Sequence, residues 1–163
     1  LCKTLIMVDI GIYPNQEGSD KVVEFMRSAA DGFASLEEAA NHISEFLPHR
    51  EKPKDLTGLN KNLRKKEDRF YWHWDPKFLQ GRQDQDIKEY FSHLEDAAKS
   101  LDKPTLLIRG GLSDVLTEED KNYFLNIVSH AEFEEISDAA HMVAGDKNDI
   151  FSEAVEKFLV KNN

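Results

Sequence analysis

Two apolar runs near the C-terminus, each broken off by a turn, constrain the fold of this chain more than any other feature. One lies in PTLLIRGGLSDVLTEED, residues 104–120, and the other in AEFEEISDAAHMVAGDKND, residues 131–149. Short apolar runs ended by Gly, Ser and Asp read as buried strands. The stretch between them, TEEDKNYFLNIVSH, has a helical period. Thr117 and Asp120 stand at capping-box spacing with Asp in the Glu place, and Glu118 and Glu119 suit the positive end of the helix dipole. Tyr123, Phe124, Ile127 and Val128 give the helix an apolar face. Strand, helix and strand within about 33 residues make a βαβ unit with a right-handed crossover.

A third strand-like run opens the chain. LCKTLIMVDIGIYP holds an unbroken apolar run, Leu5–Val8, followed by a Gly and a Pro. Such a run suits a strand covered on both faces of a parallel sheet. Strands are thus expected at about 4–10, 104–109 and 131–136, and residues 148–160 read as a closing amphipathic helix. Ile150, Phe151, Ala154, Val155, Phe158 and Leu159 form its apolar stripe. The fold class is α/β.

About 90 residues separate the first strand from the second. Helical patterns occupy roughly 19–30, 35–47, 55–66 and 84–99, and Ser35-Leu-Glu-Glu opens the second with a capping box. The block is too long for one crossover, so it reads as a helical insertion over the carboxyl edge of the sheet. Residues 49–69 hold eight Lys/Arg against four Asp/Glu, a local +4 in a chain of net charge −10. A solvated helical face accounts for that run, and attraction of an anionic substrate group is the functional alternative.

The charge of −10 excludes nucleic acid as a partner and disfavours an anionic membrane. No run approaches the roughly 18 apolar residues of a spanning helix. Residues 1–12 are apolar but have no basic leader and no small-residue cleavage site, so no secretory signal is expected. Cys2 is alone and cannot form an internal disulfide, which fits a reducing compartment and a cytoplasmic location.

Asp114 and His141 each follow a strand pattern at the edge where ligands bind in open parallel sheets. Singly, Asp114 would cap the next helix and His141 would be a buried, backbone-satisfied histidine. At the ends of neighbouring strands they are expected to pair. A carboxylate on one imidazole nitrogen fixes the tautomer and leaves the other nitrogen as general base. The cluster Tyr71-Trp72-His73-Trp74 is costly on a bare surface. It serves either internal packing or, through Trp72 and Trp74, the lining of an apolar substrate pocket. Met142, beside His141, is a pocket wall or a core residue.

In order, VDIG at 8–11, a helical insertion, PTLLIRGGLSDVLT at 104–117 and AAHMVAGDKND at 139–149 resemble the C-terminal half of the α/β-hydrolase fold. KNLRKKEDRFYWHWDPKF, 61–78, is similar to the cap of the epoxide-hydrolase-like or cofactor-free haloperoxidase-like subgroup. The resemblance implies about three strands of a parallel core, from 1–11 and 101–163, with 12–100 as an inserted cap. It also implies Asp114 as the acid and His141 as the base. The implied activity is hydrolysis of a small, largely apolar ester, epoxide or related substrate, without cofactor or metal. The family's nucleophile stands in G-x-S-x-G or G-x-D-x-G, and neither occurs in these 163 residues. The chain alone is therefore expected to be inactive. In the resembled fold a nucleophile strand lies beside the first strand. That strand, flanked only by Lys3 and Asp9, is expected to self-associate or to pair with a missing N-terminal half. The competing reading is a non-catalytic protein of the same fold that binds a ligand or partner.

Overall fold

A computed structural model describes residues 2–13, 15–49, 52, 54–80 and 84–163. The chain divides into two compact units, Leu1–Ser19 with Arg82–Asn163, and Asp20–Gly81.

The first unit is built on a parallel sheet of β1 (Leu5–Val8), β4 (Thr105–Gly110) and β5 (Glu132–Ile136), in the order β1-β4-β5. Leu5 pairs with Thr105 and Val8 with Ile108 on one side of β4, and Leu106 pairs with Glu132 and Gly110 with Ile136 on the other. Every residue of the central strand is buried, Thr105 and Arg109 included. Alternate side chains leave opposite faces. Leu106 and Ile108 pack with Ile136, Val143 and Phe158, joined by Phe151 and Val155 of α6 (Asn148–Lys161). Leu107 faces the other way, onto Leu116, Phe124 and Val128. Phe124 comes from α4 (Glu118–Ile127), whose capping box between Thr117 and Asp120 is formed as expected. Between β5 and α6 lies the single turn α5 (Val143–Asp146). Among the described residues β1 is an edge of this sheet.

Helix α3 (Asp84–Lys99) was expected in the insertion, but it belongs to the sheet unit. Leu94 and Ala98 pack, with Leu101, on the cluster around Leu107 and Phe124. Residues 12–19 go with them, so the second unit is shorter than the expected 12–100. The reason is the apolar stripe of α3, which covers the sheet face that α6 leaves open.

The second unit holds most of α1 (Gln16–Ser28), together with α2 (Leu36–Phe46) and an antiparallel pair, β2 (Leu63–Lys66) and β3 (Arg69–Trp72). Ser35 caps α2 by accepting from the Glu38 amide at 3.1 Å, and the Glu38 carboxylate accepts from the Ala34 amide. The helix expected over 55–66 does not form. A 3-10 turn, Thr57–Lys61, precedes the hairpin, and Glu67 turns the chain at φ 53. Pairing explains the difference. Leu63 lies opposite Trp72 in a cluster with Phe33 and Ala39, while Lys65 and Lys66 lie over the rings of Phe70 and Tyr71. Phe33 and Phe70 exchange backbone hydrogen bonds of 2.7 and 2.8 Å on the far side of β3. Arg69 donates to the carbonyls of Asp31 and Gly32. The basic run is thus partly consumed by the hairpin itself. No helix among the described residues is long and apolar enough to cross a membrane.

Two polar ties hold the first unit together. Arg109 lies buried in β4, donates from Nε to the Leu116 carbonyl at 2.7 Å and reaches Glu135 at 2.7 Å and Glu118 at 3.2 Å. Arg109→Leu strands the Leu116 carbonyl, while both carboxylates stay partly in solvent. The expected loss, about 1–3 kcal/mol, should appear as a lower urea midpoint with an unchanged slope. In the second tie Lys99, Tyr13 and Tyr123 all donate to Glu95, at 2.5, 2.7 and 2.9 Å. The lysine, then the two phenols, hold the Glu95 carboxyl down at about 2. Because its folded value lies below its unfolded one, this contribution is complete above about pH 4.5 and disappears as pH falls through about 2. Glu95→Gln is therefore expected to unfold more easily than the parent at neutral pH, and acid titrations should converge near pH 2.

Candidate active site

The site begins where β1 stops. Asp9 follows Val8 and takes a left-handed backbone conformation, φ 52, which Asp tolerates better than most residues. Its amide still bonds the Ile108 carbonyl at 2.7 Å, so the turn is anchored on the central strand. The side chain is fully buried at the end of β4. Oδ1 accepts from the Gly110 amide at 3.0 Å, and Oδ2 accepts from the Ser113 hydroxyl at 2.5 Å and from Nδ1 of His141 at 2.9 Å. A buried carboxylate is tolerated only when donors replace its water, and three segments of chain supply them here.

His141 reaches Asp9 because its loop crosses the end of the central strand. Gly110 makes that crossing possible. A Cβ at this position would lie 2.3 Å from the Ala140 carbonyl oxygen and 2.6 Å from that of Ala139, closer than any side chain tolerates. The Leu112 amide bonds the Ala139 carbonyl at 2.9 Å, and Asp146 holds the Ala140 amide at 2.8 Å. The imidazole is left part exposed.

His141 therefore meets a carboxylate, and that carboxylate belongs to Asp9 and not to the expected Asp114. Within the turn after β4 the side chains of Ser113, Val115 and Leu116 go inward, whereas Asp114 is exposed. The inward position one residue earlier carries a hydroxyl, and that hydroxyl bonds the carboxylate arriving from β1. Sequence reasoning passed over Asp9, although a charged residue between Val8 and Ile10 of an apolar strand was the available signal.

Among the other expected site residues, Met142 is exposed next to His141. Trp72 and Trp74 belong to the second unit, stacked at 4.6 Å between ring centroids. Trp72 also meets Phe33 edge-on and Phe25 at 5.7 Å, so internal packing accounts for its burial. Among the described residues no group of three or more His, Cys, Asp or Glu is placed to hold a metal ion.

Chemically, Nδ1–H of the imidazole donates to Asp9 and Nε2 is left as the nitrogen able to accept a proton. The same carboxylate would stabilise the imidazolium formed by that transfer.

No protein-family model matches the sequence, and no curated protein sequence matches it. Solved structures do resemble it. E-2-(acetamidomethylene)succinate hydrolase superposes with a TM-score of 0.80 at 14% identity, over 98% of this chain and 58% of its own. An esterase of M. tuberculosis gives 0.73 at 23% identity, over 98% of this chain and 55% of its own. An α/β hydrolase of Novosphingobium aromaticivorans gives 0.68 at 17% identity, over 96% and 56%. The chain thus spans little more than half the length of these proteins. At such low identities the likeness is one of fold, and the fold is that of the α/β-hydrolases.

Proposed function

We propose that this chain forms the acid–base part of a hydrolase active site, with His141 as general base and Asp9 as the acid that orients it. The hydrogen bond between the buried Asp9 carboxylate and Nδ1 of His141 carries this assignment. The family resemblance had given the acid role to Asp114, which is exposed. Nε2 of His141 would take the proton of an attacking hydroxyl or water, and Asp9 would hold the charged ring in place. No G-x-S-x-G or G-x-D-x-G occurs in these residues, so an elbow nucleophile of that kind would have to reach Nε2 from another segment of protein. The edge of β1 that is open among the described residues, one residue before Asp9, is the place where a nucleophile-bearing strand would pair.

The substrate class we assign is a small, largely apolar ester, epoxide or related compound. Supporting it, Ile10, Leu112 and Met142 are exposed, and each adjoins one member of the Asp9, Ser113 and His141 group. An esterase among the fold's neighbours supports the ester within this class. The competing reading, a non-catalytic binding protein of the same fold, draws its support from the absent nucleophile motif.

Purified as these 163 residues, the chain is expected to turn over a small activated ester no faster than buffer. In the full product of the gene that encodes it, Asp9→Asn should lower kcat by about 10⁴ and His141→Ala by up to about 10⁶. Asp114→Ala should stay near the parent. A loss at Asp114 as large as at Asp9 would return the acid role to Asp114. Turnover indifferent to His141, or none in the full product, would favour the binding protein.

A further inference from the structure

Ser113 is buried, and its hydroxyl has only one direction in which to donate. Its oxygen accepts from the Val115 amide at 3.1 Å and, more weakly, from the Leu116 amide at 3.4 Å. Those two contacts occupy its lone pairs, so its single proton goes to Asp9 Oδ2, 2.5 Å away. That oxygen is the same one that receives Nδ1–H of His141. The opposite oxygen is held by the Gly110 amide. A carboxylate gripped at both ends cannot rotate about its Cβ–Cγ bond. The donor to Oδ1 is backbone and survives any substitution, whereas the donor to Oδ2 is a side chain.

From this geometry we infer that Ser113 is a positioning residue that keeps Oδ2 of Asp9 aimed at Nδ1 of His141 and so fixes the imidazole proton on Nδ1. The inference rests on the assignment of Asp9 and His141 as acid and base. Ser113 touches neither ring nor substrate in this role, and it is not the nucleophile. Its proton is committed to Asp9, and its oxygen serves the turn amides. The link runs from turn to carboxylate to ring: Arg109 holds the Leu116 carbonyl, Ser113 takes the Leu116 amide, and Asp9 takes the Ser113 proton.

Removing the hydroxyl frees the carboxylate to turn away, and the ring then reverts toward the Nε2–H tautomer, which presents no bare Nε2 to act as base. This can be read in the chain as it stands, without activity. Long-range ¹H–¹⁵N spectra of the His141 ring in its neutral form report which nitrogen holds the proton, with His141→Gln to assign the signal. The parent is expected as the Nδ1–H form, and Asp9→Ala as mostly Nε2–H. Ser113→Ala should raise the Nε2–H to Nδ1–H ratio several-fold, on the order of the five- to tenfold that one hydrogen bond converts to. Ser113→Thr keeps the donor and should return the parent ratio. Ser113→Cys, near in size but a poor donor, should behave as the alanine variant does, and decides the matter if Ser113→Ala does not fold. A purely structural serine would lower stability and expose the Val115 amide to exchange without moving the proton. Folded Ser113→Ala or Ser113→Cys with the parental ratio therefore overturns the inference and leaves the Asp9–His141 pair standing. An unchanged ratio in Asp9→Ala overturns the pair, and the inference with it.

Discussion

The buried carboxylate of Asp9 is the interaction on which the rest of the sheet edge depends. An ionised carboxylate out of water is costly by several kcal/mol unless donors replace its solvent shell. Here the donors come from the end of β4, from the turn after it and from the loop after β5. All three reach the same carboxylate, so one side chain ties together three segments. The cost of its left-handed backbone is carried by the same contacts, since its amide bonds the central strand while its side chain caps that strand's end.

The sheet below supplies the rigidity that such a site needs. β4 is buried on both faces, with α6 on one side and α3 and α4 on the other. Parallel strands bring all their carboxyl ends to one edge, so residues far apart in sequence meet there without any long-range coincidence. Asp9 and His141 are 132 residues apart. The packing that brings them together is tight enough to exclude a methyl group at Gly110, where the His141 loop lies directly on the strand. Arg109 extends the same edge outward by tying β4 to the turn that follows it, to β5 and to the start of α4.

Where local signals and tertiary demand agreed, the sequence was readable. The three strands of the parallel sheet, the capped helix α4 and the closing helix fell where periodicity put them, because each is defined by its own apolar spacing and caps. The error over 55–66 has a different origin. LRKKEDRF has the charges of a solvated helix, yet the segment pairs as a hairpin because Leu63 and Trp72 gain burial against Phe33 that a helix there would not give. The misplaced boundary of the insertion has the same cause, since the stripe on α3 names no partner until the open face of β4 is seen.

By itself the sequence determined the α/β class, the order of the three parallel strands along the chain, and the sheet edge at which Asp9, Ser113 and His141 meet. Those follow from patterns within ten or twenty residues, where hydrophobic period and turn chemistry act. Which carboxylate meets the His141 ring was decided only in three dimensions. Asp114 and Asp9 are equally plausible as letters after apolar strands. The choice depends on a one-residue phase in the turn after β4, which sends Ser113 inward and Asp114 to the surface, and on a glycine flush enough to let the histidine loop cross the strand. Neither the direction of a side chain in an irregular turn nor the clearance between two backbones has a local signature, because both are set by what packs against them.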